Sequence, residues 1–284
     1  MTVAPSLLDG GNLRGEIMAE RWVLPPWWLD LCWDVAGLDE HPKALALGSC
    51  GETLEERAVL HRRARAQLSE AGLLHDGHLV PALSRALGAL AGPGLWIEGI
   101  WTPDDSSAGV VRLMCVATRD GAVLAVQEAG DSEEQGGDVD ISLHRDSLTA
   151  ATLFGMPPAP PGNRPRVVVP ARLLRTEANS GSHVLEQVSG DAAGRGQAVR
   201  AFRDLVEAPH FRDGQFTVNL RDSLGNRHRC RPLGWFDAPP PDGRYTVRRQ
   251  QRGSEPELVL APLGAADLRT TLDRQVTELR TRAR

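Results

Sequence analysis

The sequence predicts an α+β fold made of a duplicated unit, and three observations predict it. From Gly214 to Leu272 the chain reads as a β-meander closed by a helix: Gly-Gln-Phe-Thr-Val-Asn-Leu-Arg, then Arg-Pro-Leu-Gly-Trp-Phe-Asp, then Arg-Tyr-Thr-Val-Arg-Arg, separated by turn residues and followed by an amphipathic segment. Leu95 to Leu153 has the same grammar, with Leu-Trp-Ile-Glu-Gly-Ile-Trp, Val-Val-Arg-Leu-Met-Cys-Val-Ala, an Arg-Asp-Gly turn, Ala-Val-Leu-Ala-Val, a further short strand and a helix. Helical periodicity precedes each meander. A duplicated meander with a helix suggests a binding scaffold before a catalyst.

The elements follow in order. Arg21 to Leu24 makes a short strand, and Pro25 and Pro26 open a helix whose Trp27, Trp28, Leu31, Cys32 and Val35 share an apolar face. Gly37 and Pro42 close it. In Gly51-Glu52-Thr53-Leu54-Glu55-Glu56-Arg57, Thr53 and Glu56 form a capping box, because the hydroxyl accepts from the amide three residues on while the carboxylate reaches back. The helix so started ends at Gly72. After a turn at Asp76-Gly77, Leu79 to Leu90 is helical with Pro81 in its first turn. Leu95 to Trp101 and Val110 to Thr118 are strands around a polar loop, Thr102 to Gly109. Asp120-Gly121 supplies the positive φ angles of a tight hairpin into Ala122 to Gln127. Ala129 to Asp138, acidic and glycine-rich, is expected as a solvated loop; Val139 to Leu143 is a strand and Asp146 to Phe154 a helix.

Proline-rich Met156 to Arg166 marks the joint between two halves, about 21–156 and 166–280, of one domain spanning 1–284. Beyond it, a helix is expected over Ala171 to Val188, interrupted at Asn179 to Ser182, and a second over Gln197 to Glu207 after glycine-rich Ser189 to Gly196. The second meander runs through strands at Gln215–Arg221, Asn226–Arg231, Gly234–Asp237, Arg244–Gln250 and Glu257–Ala261. Leu263 to Leu279 closes it, with Leu268, Leu272 and Val276 four residues apart on one face.

At 284 residues, 41% hydrophobic, the chain can bury a sizeable core. A net charge of -5 argues against a dedicated nucleic-acid binder, which needs a basic field to neutralise phosphates. The apolar run Trp22 to Trp33 is broken by Pro25, Pro26 and Asp30, so neither a leader nor a membrane span of roughly 20 residues is expected. Cys32, Cys50, Cys115 and Cys230 lie far apart with no Cys-x-x-Cys pair and read as reduced core thiols.

Motifs for chemistry are sparse. His75-x-x-His78 lacks the third and fourth ligands of a zinc site. Ser180-Gly181-Ser182-His183 lacks the Gly-x-Ser-x-Gly frame of a nucleophile elbow, and Gly190 to Gly196 lacks a phosphate-loop pattern. Arg227, Arg229 and Arg231 alternate onto one strand face, a solvated face or a contact for an acidic partner. No catalytic residue, metal or cofactor is expected. The competing reading is a small-molecule-binding enzyme using a cleft between the halves, with His144 or His228 as base.

Gly51-x-Thr53-x-x-Glu56-Arg57 after a Trp-rich opening, Ala71-Gly72-Leu73, Arg119-Asp120-Gly121, Gly214-Gln215-Phe216, Pro232-Leu233-Gly234-Trp235-Phe236-Asp237 and Gly243-Arg244-Tyr245, in this order and spacing, resemble the EspG family of ESX (type VII) secretion-associated proteins, from about Trp22 to Val276. The resemblance implies a central, mainly antiparallel sheet flanked by two helical bundles with pseudo-two-fold symmetry. It implies a cytoplasmic chaperone that holds the PPE subunit of a PE–PPE heterodimer, or a WXG-type helical hairpin, without nucleic acid, membrane insertion or enzymatic activity; a homodimer stays open. The client tip would be held by the loop Thr102 to Gly109 and by the C-terminal helices. The residues implied are Trp101, Pro103 and Asp104 at the loop, and Leu185, Phe202 and Leu268 on the helices. Each of the last three reads as core before interface, since helical periodicity alone does not tell which apolar residues stay exposed.

Overall fold

The computed structural model describes residues 18–283, apart from 49, 105–107, 133–134, 177–189 and 253–254. One sheet forms its centre. Its first meander consists of β4 (Leu95–Trp101), β5 (Val111–Thr118), β6 (Gly121–Ser132) and β7 (Gln135–His144), and β1 (Met18–Leu24) pairs with β7 at the edge. The second consists of β9 (Arg212–Arg221), β11 (Leu233–Asp237), β12 (Arg244–Arg252) and β13 (Glu255–Pro262), with β8 (Val167–Pro170) at its edge and short β10 (Arg227–Arg229) beside β9. The strand order β1-β7-β6-β5-β4-β9-β11-β12-β13-β8 reads alike from both ends, and every pairing along it is antiparallel. The meanders meet where β4 lies beside β9, from Leu95 opposite Leu220 to Trp101 opposite Gly214.

Alternation distributes side chains to two faces. On one face, Trp96, Met114, Val116, Val123, Ala125, Val139 and Ile141 lie beneath α1 (Pro26–Val35), α2 (Leu54–Glu70) and α3 (Pro81–Ala91). A two-stranded hairpin, β2 (Leu74–His75) and β3 (His78–Leu79), joins α2 to α3. At the other end of that face, α6 (Gly190–Val206) packs Val199, Phe202 and Leu205 onto Val169, Phe236, Tyr245 and Leu260, after short α5 (Ala171–Thr176). On the opposite face, α4 (Leu148–Phe154) and α7 (Ala265–Arg282) cover Ile97, Trp101, Leu113, Cys115, Phe216, Val218 and Trp235. The α+β class, the antiparallel sheet and most of the expected strands and helices are present.

Local chemistry explains several of them. The Thr53–Glu56 capping box forms at α2, and Pro26 sits at the start of α1. Buried Asp30 of α1 accepts from Arg57 of α2 at 2.7 and 3.2 Å and from the Cys50 amide at 3.1 Å, tying the two helices and the intervening loop together. Cys32, Cys115 and Cys230 are buried free thiols, and burial pushes the first two up to about 12; Cys50 is half-buried and also free.

Two expectations need correction, and a third falls largely outside the described residues. Residues 129–138 are not a loop: β6 and β7 run on through them as a bulged hairpin arm, with Ala129 opposite Gly136 and Ser132 opposite Gln135. Glycine and acidic residues resemble a loop in sequence, but a two-stranded hairpin can continue beyond the sheet on backbone pairing. The glycine-rich residues 190–196 are the first turns of α6 rather than a linker before it. The helix expected to begin at Ala171 is described only to Thr176, and the interruption at 179–182 lies outside the described residues.

Candidate functional site

The end of the sheet where β4 meets β9 carries the most distinctive geometry. Gly214 faces Trp101 across the pair, and a Cβ on Gly214 would stand 2.4 Å from the Trp101 Cβ, so only glycine admits this approach. Trp101 is buried and leans on Trp235 with ring centres 6.4 Å apart; Phe216 stacks on the same indole at 6.3 Å. The Arg244 guanidinium lies over the Trp235 ring at 4.4 Å and grips Asp237 with two bonds of 2.6 and 2.9 Å. Arg212 reaches the same carboxylate at 3.1 Å. Two guanidinium groups thus share one buried carboxylate, and burial, together with the proximity of Arg244, holds the Arg212 pKa below its usual value despite Asp237.

Above this column the β4–β5 loop leaves the sheet. Thr102 is stapled to Asp213 by a backbone bond of 3.0 Å, and its hydroxyl donates to the Asp213 carboxylate at 3.0 Å. Pro103 and Asp104 follow and are half-exposed. A cleft of about 280 Å³ opens beside them, lined by Ile100, Trp101, Val110, Asp213, Gln215 and Gly234. Gly109 returns the loop against the arm of β6 and β7: a Cβ there would meet the Gly130 carbonyl oxygen at 2.2 Å. The arm presents exposed Glu128, Asp131 and Asp138 next to the loop. Phe211, just before β9, is 40% exposed with the Arg212 guanidinium 4.9 Å over its ring.

The residues implied by the resemblance therefore divide. Pro103 and Asp104 lie at the surface of the loop. Trp101 forms the floor beneath it. Phe202 is 4% exposed under α6 and Leu268 1% exposed under α7, both in core clusters, and Leu185 lies outside the described residues. Phe211 carries no signal in the sequence, because a single aromatic in Pro209-His210-Phe211-Arg212 has no periodicity to mark it.

A second cleft of about 290 Å³ lies at the joint, lined by Phe154, Met156, Pro157, Arg244, Leu263 and Leu268 among others, and no histidine lines it. The joint is fastened rather than loose: Arg244 donates through its amide to the Pro160 carbonyl at 2.8 Å and through its guanidinium to the Pro157 carbonyl at 2.9 Å, and the Arg164 amide donates to the Tyr245 hydroxyl at 2.9 Å. His144 is buried elsewhere, 2.9 Å from Ser142 Oγ, and His228 pairs with Asp222 at 2.8 Å near β10. Neither reaches the joint cleft. His75 and His78 face each other across the β2–β3 hairpin, both exposed, and among the described residues no group of three or more His, Cys, Asp or Glu side chains could hold a metal. Among the described residues no helix is long and apolar enough to cross a membrane.

The sequence pattern of the EspG family matches residues 25–274. The chain belongs to the EspG family. Its structure is similar to that of the Mycobacterium tuberculosis type VII secretion system chaperone EspG5, solved in complex with a PE25–PPE41 dimer, at a TM-score of 0.60 and 16% identity over 88% of this chain and 94% of that one. HtdX from Mycobacterium tuberculosis aligns over 87% of this chain and all of its own at 17% identity, but with a TM-score of 0.17, which carries no likeness of fold. No curated protein matches the sequence significantly. For this EspG-family chain the motifs acquire structural roles: Gly214-Gln215-Phe216 and Gly234-Trp235-Phe236-Asp237 build the aromatic floor, and Gly243-Arg244-Tyr245 fastens the joint.

Proposed function

We propose that the protein is a cytoplasmic chaperone of type VII secretion that binds the apolar tip of a PPE-type subunit, within a PE–PPE pair or a similar helical hairpin, and keeps it soluble for export. The observation that carries this reading is membership of the EspG family over residues 25–274, joined to a fold like that of a chaperone solved with a PE25–PPE41 dimer. The physical logic is direct. A secreted helical protein with an exposed apolar tip aggregates, and covering that tip with a standard interface of roughly 800 Å² per partner removes the hazard.

The halves 21–156 and 166–280 act in this reading as one scaffold, whose shared end presents the β4–β5 loop. Pro103, Asp104 and Phe211 make contact, Trp101 supports the loop from below, and the arm at 129–138 borders the contact with carboxylates. Phe202 and Leu268 hold α6 and α7 in place so that their outer faces, and the segment containing Leu185, meet the client. Catalysis has no part in it, since neither His144 nor His228 opens into the joint cleft.

The test is co-expression with a PE–PPE pair, and in parallel a WXG-type pair, from the same genome, followed by size-exclusion chromatography at low and high salt. A complex that survives salt, and that Asp104→Arg with Phe211→Ala weakens about tenfold or more, is the expected result. Clients that stay insoluble or elute apart would remove the reading. Leu268→Asp is unsuited to this test, because it would place a charge in the core beneath α7.

A further inference from the structure

Many arginines of this chain face a carboxylate: Arg21 pairs with Asp140, Arg57 with Asp30 and Asp34, Arg227 with Glu98, Arg244 with Asp237. Farther along α2 than Arg57, two arginines are placed differently. Arg62 and Arg65 stand one turn apart on α2, both exposed. Three and four residues away lie Ala58, Val59 and Ala66 for Arg62, and His61, Leu68 and Ser69 for Arg65. None is a carboxylate, so the pairing that usually neutralises helix-surface cations is closed to them, and the two positive charges reinforce each other.

The patch continues off the helix. Arg65 Nη1 comes within 3.9 Å of where a Cβ would stand on Gly77, at the tip of the β2–β3 hairpin. Next to Gly77 in the chain, His78 with Arg85 edges an open cleft of about 470 Å³ whose apolar wall is Val35, Leu79 and Pro81. Among the described residues no ion pair engages Arg62, Arg65 or Arg85, and the nearest carboxylates along the chain are Glu56 for Arg62, Glu70 for Arg65 and Asp76 for Arg85.

We propose that Arg62, Arg65, the β2–β3 hairpin and Arg85 form a docking surface for an acidic peptide segment of a protein partner, separate from the surface proposed for the client. Charge complementarity argues for the acid: guanidinium forks match carboxylates in geometry as well as sign. The cleft decides among acidic partners. It sets an apolar wall beside Arg85 and His78, which suits a leucine-like side chain next to a glutamate and offers nothing to a phosphodiester. The chain's net charge of -5 also opposes a polyanion that extends past the patch. The helices α1 to α3 cover the β5–β7 end of the sheet, whereas α6 covers the β12–β8 end of the same face and α7 lies on the opposite face, so both partners fit on one molecule.

The experiment uses the full chain and a fluorescein-labelled peptide of glutamate, leucine and alanine, about 16 residues long, followed by fluorescence anisotropy at low and high salt. Binding at low salt that R62E/R65E/R85E weakens by about tenfold or more, while R229E/R231E elsewhere on the surface changes it by less than about twofold, is the expected result. Should charge reversal disturb folding by circular dichroism, R62Q/R65Q/R85Q carries the decision and is expected to weaken binding by about threefold or more. No binding, equal loss in R229E/R231E, or tighter capture of an oligodeoxynucleotide or of phosphatidylglycerol vesicles through the same arginines would overturn the proposal. Client complex formation, measured on R62E/R65E/R85E by chromatography, is expected to be unchanged; its loss would also overturn the separation of the two surfaces.

Discussion

The helical covers at the two ends of the same sheet face occupy equivalent places and are held differently. Over β7, β6 and β5, helices α1, α2 and α3 share a continuous core that includes Leu24, Leu31, Trp33, Leu68, Leu83, Leu87 and Leu90, and Asp30 locks α1 to α2 through Arg57. Over β12, β13 and β8, the described part of the cover rests on Val199, Phe202 and Leu205 of α6. The polar anchor of that half lies on the opposite sheet face, where Asp237 holds Arg244 and Arg212. The first cover therefore carries a buried ion pair between its helices, whereas the buried ion pair near the second lies among the strands β9, β11 and β12.

Removing the anchor of the second half should have the largest effect. Asp237→Ala leaves two guanidinium groups without their shared carboxylate, and urea denaturation is expected to show a loss of about 3–5 kcal/mol. An effect below about 1 kcal/mol would mean that solvent or the Pro157 carbonyl compensates and that the strand anchor is dispensable.

Cavity substitutions sharpen the contrast between the two covers. Leu87→Ala, fully buried in α3, should cost about 2–5 kcal/mol of global stability. Phe202→Ala should show most of its loss locally, as faster hydrogen exchange across residues 194–206 with a smaller shift of the global transition. Equal global losses with unchanged exchange in α6 would show that the second cover is as firmly held as the first.

The smallest effect concerns acid. Burial holds the His144 imidazole below its ordinary pKa of 6.5, although Asp146 and Asp140 act the other way. The unfolded chain thus takes up a proton at this position before the folded one does. Its contribution to stability is absent above the ordinary value and becomes a penalty as pH falls below it, at no more than about 1.4 kcal/mol per pH unit until the folded group titrates. His144→Gln should flatten the fall in melting temperature between neutral and mildly acidic pH. An unchanged slope would place the acid sensitivity elsewhere.

Much of the fold was legible because it is written locally. Thr53 and Glu56 announce α2, Asp120-Gly121 turns β5 into β6, and the apolar spacing of Leu268 and Leu272 marks the buried stripe of α7. The arm at 129–138 was hidden because its pairing is made by backbone groups that any residue carries, while its side chains resemble those of a loop. At the candidate site, Pro103 and Asp104 could be placed on a loop from composition alone. Whether Phe202 and Leu268 point outward could not, since a periodic apolar stripe looks the same facing a sheet or a partner. Phe211 and the arginines of α2 became notable only with their surroundings visible.

The sequence by itself determined the two meanders, their helices, the proline-rich joint and the ordered motifs of the EspG family, because periodicity, caps and turn chemistry act over a few residues. The tertiary structure decided that the meanders join through β4 and β9, that Trp101 is buried beneath the β4–β5 loop, that the acidic arm lies against that loop, and that among the described residues Arg62, Arg65 and Arg85 have no carboxylate partner while Arg244 finds one. These outcomes depend on groups far apart in the chain, and only the packing of the whole determines which of them meet.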